Sequence, residues 1–403
     1  MSFWSISLFP LESSLFLLTA LSLATWVYLS FGHGRFWYAD QRLGRDGSIS
    51  AKTTQWPTVV VVVPARNEAD VIERTLRSLL EQDYPGEFHV VMVDDQSDDR
   101  TGDLARQLAI GHPAGAHLTV KAAEDRPSGW LGKMWALHAG LQYAEKQWPD
   151  AAYSYLTDAD IEHSRGNLRE LVSKAECEGL DLVSLMVRLH CRHVWEKLLI
   201  PAFVYFFQKL YPFPLINDHH STVGGAAGGC ILVRNRALIQ IGGIAAIRGE
   251  VIDDCALGTA IKRVGKIWVG LTDSEHSIRP YVGLHDIWVM VKRTAYTQLR
   301  YSPLMLVGTV LGLVVVYLLP PLVILTWPLH GSALAGGLAL VAWLIMMYTF
   351  QPTVRLYGLA PTYGVVLPVA ALLYLGMTID SAWRHWLKVG GEWKGRTGIG
   401  CTN

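Results

Sequence analysis

The chain has no excess charge to offer a polyanion: 35 Lys and Arg balance 35 Asp and Glu over 403 residues. This removes the global electrostatic case for nucleic acid, and no nucleic-acid partner is expected. Cysteine is scarce. Cys177, Cys191, Cys230, Cys255 and Cys401 are scattered without a C-x-x-C spacing. They read as reduced thiols of a cytosolic domain and supply no zinc site. No G-x-G-x-x-G follows the first strand-like run, so a dinucleotide fingerprint is missing. No G-x-x-x-x-G-K-[ST] occurs, which excludes P-loop chemistry.

Apolar residues make up 51% of the chain, and they are unevenly spread. Ser13 to Phe31 carries no charge and is long enough to span a bilayer. A signal peptide would have a basic stretch before the apolar core. Here Glu12 precedes it, and Arg35, Arg42, Arg45 and Lys52 follow, the pattern of a signal-anchor whose C-terminal flank is cytoplasmic. Leu304 to Thr326 and Ala333 to Phe350 are two further candidate spans. A third, Tyr363 to Ile379, contains Pro368 and begins after Pro361. The basic tail (Arg384, Lys388, Lys394, Arg396) favours a cytosolic end, so this third segment is read as re-entrant or interfacial, leaving two full C-terminal crossings.

About 250 residues of ordinary soluble character lie between. Thr58 to Glu68, "TVVVVVPARNE", is a β-branched run closed by proline, as in a strand buried on both faces of a parallel sheet. Helical spacing follows at Val71, Leu76, Leu79 and Leu80, stopped by Tyr84-Pro85. "FHVVMVDDQSDD" is a second strand and "TGDLARQLA" a second helix. A short strand near 117–121, a helix over 134–146 and the strand "AYSYLTDAD" continue the rhythm. This alternation argues a doubly wound α/β sheet, whose ligands bind at the carboxyl ends of the strands. There lie Pro64 to Glu68, Asp94-Asp95 and Asp158-x-Asp160.

Residues i and i+2 of a strand point the same way, so Asp158 and Asp160 repel each other unless both are solvated or a cation sits beside them. The plainer alternative is an Asx-type turn before the helix starting near Ser164. Lys133, just before a helix, is either solvated or meets an anionic ligand at the helix N-terminus. Glu250, Asp253 and Asp254 precede another helix; capping accounts for one acid but not three.

These pieces, with "GGCILVRNRAL" and "DDCALG", occur in the order found in the family 2 glycosyltransferases, which the chain resembles from about Val59 to Gly265. The resemblance implies the GT-A fold and roles for matching positions. Pro64, Glu68, Asp94 and Asp95 would line the nucleotide pocket, with Asp94 or Asp95 meeting the base. Lys133 would approach the donor, and Asp158 and Asp253 would also bind substrate. Asp160, with Asp158, would match the D-x-D motif and hold a divalent cation, Mg2+ or Mn2+, on the sugar diphosphate. Asp254 would be the catalytic base; Asp-Asp here departs mildly from the family's pair, which puts the role of Asp253 in question. The Q-x-x-R-W motif of processive members is missing, since the chain has only "YTQLRYSP" in that region.

More narrowly, "GRFWYADQRL", "LIPAFVYFFQKLYPFPLIN", "AYTQLRYSP" and "GGEWKGR" look like the bacterial hopene-associated membrane glycosyltransferases. That implies a nucleotide-diphosphate sugar donor, UDP-linked, and a membrane lipid acceptor, a hopanoid, at the cytoplasmic face of the bacterial inner membrane. Phe203, Phe207, Gly228 and Gly229 are assigned to the acceptor. Val194 to Ile216 is read as an amphipathic interfacial helix exposing Phe203, Phe206, Phe207 and Leu210; its alternative is a core helix. The expected organisation is an anchor over 1–32, a basic linker over 33–57, a GT-A domain over 58–280 and an interfacial segment over 281–303. Transmembrane or re-entrant helices over 304–380 and a basic tail over 381–403 complete it. A ceramide-type glucosyltransferase, a polysaccharide synthase and an inactive scaffold are the alternatives.

Overall fold

A computed structural model describes residues 9–43 and 56–387, together with the backbone of 392–393 and 396–397. Arg45, Lys52, Lys388, Lys394 and Cys401 lie outside the described residues. The chain divides into two compact units, one of residues 40–190, 213–280 and 390–403, the other of 1–39, 191–212 and 281–389.

The first unit is built on an eight-stranded sheet. Its strands are β1 (Val59–Ala65), β2 (Phe88–Asp94), β3 (Leu118–Ala122), β4 (Tyr153–Leu156), β5 (Ile161–Glu162), β6 (Leu182–Arg188), β7 (Ile231–Arg234) and β8 (Ile267–Ser277), in the order β3-β2-β1-β4-β7-β6-β8-β5. The first four run parallel, with Val61 opposite Val90 and Tyr155. All seven residues of β1 are buried, as expected of a strand covered on both faces. Each buried valine contributes about 1.5–3 kcal/mol of apolar transfer. Beyond β4 the sheet departs from the doubly wound expectation: β7 is antiparallel to β4 and to β6, and β5 is antiparallel to β8. The strand pattern of β5 to β8 was missed because their apolar runs are short or broken by polar residues.

The loops after β1 and β2 turn through Asn67 (φ 50°) and Gln96 (φ 55°); asparagine tolerates the left-handed region well, whereas glutamine has no such preference. Arg42 pairs with Asp273 at 2.9 Å. Two short strands, β9 (Glu392–Trp393) and β10 (Arg396–Thr397), pair antiparallel.

The second unit is helical. Among the described residues, four stretches are long and apolar enough to cross a membrane by length and composition: Glu12–Phe31, Pro303–Leu325, Ala333–Leu356 and Pro361–Trp386. The last includes a continuous helix, Leu367–Trp386, so Pro368 sits in its first turn, where its missing N–H is not needed. The second widens into a π turn at Val314–Leu318 before Pro320-Pro321. Proline at 320 cannot donate to the carbonyl four residues back. That carbonyl, on Val316, instead accepts from Nε1 of Trp26 at 2.8 Å.

The expected interfacial helix is shorter than the sequence implied. It runs Val194–Leu210, ends before Pro212, and belongs to the helical unit, while Phe213–Asn217 forms a separate short helix in the sheet unit. Its N-terminus is capped by Glu196, whose carboxylate accepts from the backbone N–H of Arg192, His193 and Tyr281. Leu210 is exposed, but Phe203, Phe206 and Phe207 are half-buried. Phe206 meets Tyr317 and Tyr374 edge-on, with ring centroids 5.4 and 5.2 Å away. Aromatic packing within the unit thus covers this face at Phe206. The expected interfacial segment contains the helix Leu284–Gln298, tied to the last helix by Trp288 Nε1 donating to Asp380 at 2.7 Å. Trp383 and Trp386 are exposed; the Trp393 side chain lies outside the described residues.

Candidate active site

The carboxyl ends of β1 and β4 and the first turns of two helices converge in the sheet unit. Gly132–Gln147 carries Lys133 in its first turn, and Asp253–Lys262 opens with Asp253 and Asp254. Lys133 Nζ lies 2.8 Å from Asp158 and 3.2 Å from Asp253. A lysine opposes the helix dipole at an N-terminus, so two carboxylates are what keep it there. Burial by itself would lower the Lys133 ammonium, but Asp158, Asp253 and Asp254 together hold it above its ordinary value. The cleft is lined by Pro64, Lys133, Asp158, Gly228, Asp253 and Asp254, over a floor that includes Leu137 and Leu156.

Asp254 is fixed by two backbone donors. Gly228 N–H reaches its Oδ2 at 2.9 Å and Cys255 N–H its Oδ1 at 2.7 Å. Burial, then repulsion from Asp253, pushes its carboxyl up to about 6, while Lys133 and the two N–H groups pull the other way. A carboxylate with that value accepts a proton near neutrality far better than an ordinary aspartate.

Asp160 does not join this cluster. Its Oδ2 accepts from Nε of Arg279 at 3.1 Å, and the same guanidinium pairs with Glu68 and lies 3.8 Å from Asp70. Burial and the neighbouring Asp158 raise the Asp160 carboxyl, and Arg279 offsets part of that. Asp158 and Asp160 thus have different cationic side-chain partners, Lys133 for the first and Arg279 for the second. β4 ends at Leu156 and the chain turns at residues 159–160 before β5, so the i, i+2 rule for a strand does not apply.

Asp94 and Asp95, expected at the nucleotide base, are both buried. Asp94 Oδ1 accepts from the Ser97 N–H at 3.0 Å, and the Asp95 N–H donates to Ala65 O at 2.8 Å. Gly228 borders the cleft, whereas a side chain on Gly229 would meet Val187 and Ile161 of the core. Phe203 and Phe207 belong to the helical unit.

Two parts of the site gave no signal in the sequence. One is Arg279, just beyond β8 in "SIRPY". The other is a buried network under the Thr157 loop. Thr157 Oγ1 donates to Gly229 O at 2.8 Å and lies 3.0 Å from Nε2 of His163. His163 Nδ1 is 3.0 Å from the Tyr155 hydroxyl and 3.3 Å from Glu275. Glu275 accepts from both the hydroxyl and the N–H of Ser164. Asn167 Nδ2 donates to the Tyr155 hydroxyl at 2.8 Å. His163, Asn167 and Glu275 each look ordinary in isolation.

Among the described residues no group of three or more His, Cys, Asp or Glu could hold a metal ion by itself. A magnesium-type site needs only one or two carboxylates when substrate phosphates complete the shell. Asp160 fits that requirement. It is a largely buried carboxylate that already has a cation, the Arg279 guanidinium, at its side.

Residues 60–242 match the model of Glycosyl transferase family 2. A 4,4'-diaponeurosporenoate glycosyltransferase of Staphylococcus haemolyticus is 30% identical over 40% of this chain and 37% of its own length. A beta-monoglucosyldiacylglycerol synthase of Synechocystis is 42% identical over 16% of this chain and 13% of its own. The chain thus aligns with little more than a third of the first of these relatives. A mannosyltransferase from Pyrobaculum calidifontis, solved in complex with GDP-Man and Mn2+, has the same fold. It is 20% identical over 90% of this chain and 99% of that one, with a TM-score of 0.54. Parallel strands, acidic strand ends and the family match agree: residues 60–242 carry the similarity to Glycosyl transferase family 2, on a GT-A-like α/β sheet.

Proposed function

We propose that the chain transfers a sugar from a nucleotide-diphosphate donor to a hydroxyl of a membrane lipid, with inversion at the anomeric carbon. The observation that carries this is the Asp254 carboxylate, held by two backbone N–H groups beside Lys133 and raised toward neutrality. One base and one in-line displacement give inversion. Asp254 takes the proton of the attacking hydroxyl. Lys133, held by Asp158 and Asp253, sets the charge around it and faces the donor. Pro64 and Glu68 border the nucleotide, and Asp94 and Asp95 shape the loop beneath it. Asp160, next to Asp158, would hold Mg2+ or Mn2+, which when bound neutralises charge on the leaving diphosphate.

The lipid acceptor is supported by three things. Candidate membrane spans flank the family 2 domain in sequence. The relatives' names include a 4,4'-diaponeurosporenoate glycosyltransferase and a beta-monoglucosyldiacylglycerol synthase. The stretches similar to hopene-associated enzymes favour a hopanoid. In this reading the protein is a multi-pass protein of the bacterial inner membrane with its catalytic domain in the cytoplasm. UDP is the first nucleotide to try; GDP is the second, since the Pyrobaculum enzyme was solved with GDP-Man.

The test is mass spectrometry of lipids from cells expressing the chain, its Asp254→Asn variant, or neither. A glycolipid present only with the unaltered chain is the expected result. Transfer to a water-soluble oligosaccharide, with no lipid product in any extract, would reject the acceptor class.

A further inference from the structure

We propose that Arg279 is a diphosphate-binding residue that stands in for the metal ion on Asp160 until donor and cation arrive. The proposal rests on the nucleotide-sugar reading above, but its geometry is independent of any assigned role. Arg279 lies just past β8, and its position is set by pairing: Ile161 lies opposite Ser277, and Ile278 N–H donates to Asp160 O at 2.9 Å. This fixes the guanidinium beside Asp160, four residues past the end of β4 and just before β5. It reaches on to Glu68, three residues past the end of β1. One guanidinium thus joins the ends of two strands whose carboxylates would otherwise face each other in a largely buried space.

A guanidinium with two carboxylate partners is stable as it stands, so Asp160 has little affinity left for a bare divalent ion. A nucleoside diphosphate changes the balance. It brings phosphate oxygens that complete a cation's shell with Asp160. It also presents the planar oxygen pairs that arginine binds through two parallel N–H groups. The guanidinium can then leave Asp160, keep Glu68 as its anchor, and turn its free N–H edge to the phosphates. Metal and nucleotide would bind together because each removes what blocks the other. Lysine at 279 would keep the positive charge but lose the fork. No bond is made or broken in this exchange.

The experiment uses the full chain in detergent micelles or nanodiscs and reads binding, not turnover. Mn2+ binding without nucleotide is followed by the electron paramagnetic resonance of the free ion, and UDP or GDP binding at saturating Mn2+ by calorimetry. Arg279→Gln should tighten nucleotide-free Mn2+ binding by about tenfold and weaken diphosphate binding by about tenfold, the scale of one charge-assisted hydrogen bond. Arg279→Lys should leave Mn2+ binding near that of the unaltered chain yet still weaken the diphosphate. A melting temperature equal to that of the unaltered chain qualifies each variant. Mn2+ affinity unchanged in Arg279→Gln overturns the exchange, as does undiminished UDP and GDP affinity in both variants. Because no sugar transfer is needed, an absence of transfer with the exchange intact would reject the transferase reading and not this one.

Discussion

The backbone N–H of Gly228 donates to Oδ2 of Asp254 at 2.9 Å, and a methyl group placed on Gly228 would stand 3.4 Å from that oxygen and 3.6 Å from Nζ of Lys133. Those are ordinary contact distances, so Gly228→Ala folds. The methyl nevertheless takes room where reacting groups must sit, and kcat/KM should fall about tenfold. Gly229 is different, because a methyl there would lie 2.7 and 3.0 Å from the two methyls of Val187. Gly229→Ala should cost about 1–3 kcal/mol through overpacking. Melting curves and steady-state rates on both variants separate the two effects. A Gly228→Ala protein with an unchanged rate would show that the acceptor does not pass this point.

The raised Asp254 carboxyl has a kinetic signature. A general base works in its deprotonated form, so the rate should fall with one-proton dependence as pH drops through about 6, the value at which this buried group titrates. Asp254→Asn should lower kcat by at least about 10², remove that limb and leave nucleotide binding intact. If Asp253→Asn is the inactive variant and Asp254→Asn retains activity, the roles within the pair are reversed.

Lys133 sits among three carboxylates, and its charge is one of the influences holding Asp254 down. Removing it in Lys133→Met favours the protonated acid. The acid limb of the pH–rate profile should therefore move to higher pH, and donor binding should weaken by about 10² or less. An acid limb that stays in place would mean that Lys133 and Asp254 are not coupled in the working enzyme.

How far the sequence could be read depended on the range of the forces involved. The β1 valines are all buried, so the run Val59–Val63 declares itself by composition. Lys133, Asp158, Asp253 and Asp254 stood out because each lies at a strand or helix end, where a charge is conspicuous. The family resemblance implied one site for them, but the direct pairing of Lys133 with Asp158 and Asp253 was not legible, since it comes from folding elements about 100 residues apart onto one sheet edge. Arg279 was invisible for the same reason: one arginine in "SIRPY" gains meaning only when β5–β8 pairing sets it beside Asp160. The Val194–Leu210 helix was misread at its exposed face because helical periodicity does not say which neighbour covers the stripe. Tyr317 and Tyr374, on distant helices, do so at Phe206.

Glu275 makes an acid-sensitive contribution to stability. Burial by itself would raise its carboxyl, but His163 and the two donors of Ser164 hold it below the ordinary value. A depressed carboxylate contributes fully above its unfolded value and is lost as pH falls through its folded value, here below about 4.5. Glu275→Gln should cost about 1–3 kcal/mol near neutrality, because an amide NH2 then replaces one of the two buried oxygens that accept from the Ser164 N–H and hydroxyl. The difference from the unaltered protein should shrink in melts taken below about pH 4. A variant as stable as the parent at pH 7 would contradict this role for the network.

The acceptor assignment of Phe203 and Phe207 can be separated from simple packing by using Phe206 as the internal control. All three sit on Val194–Leu210, and Phe206 has two tyrosines of other helices edge-on to its ring at 5.4 and 5.2 Å. Phe206→Ser should lower the melting temperature and reduce every activity in proportion, as loss of a packed aromatic does. If Phe203 and Phe207 meet the lipid, replacing both by serine should weaken transfer to lipid more than hydrolysis of the donor by water. The two rates share the donor site, Lys133 and Asp254, so a defect confined to the acceptor divides them while a folding defect does not. Equal loss of transfer and hydrolysis in the Phe203→Ser/Phe207→Ser protein would assign those rings to support of the helix alone.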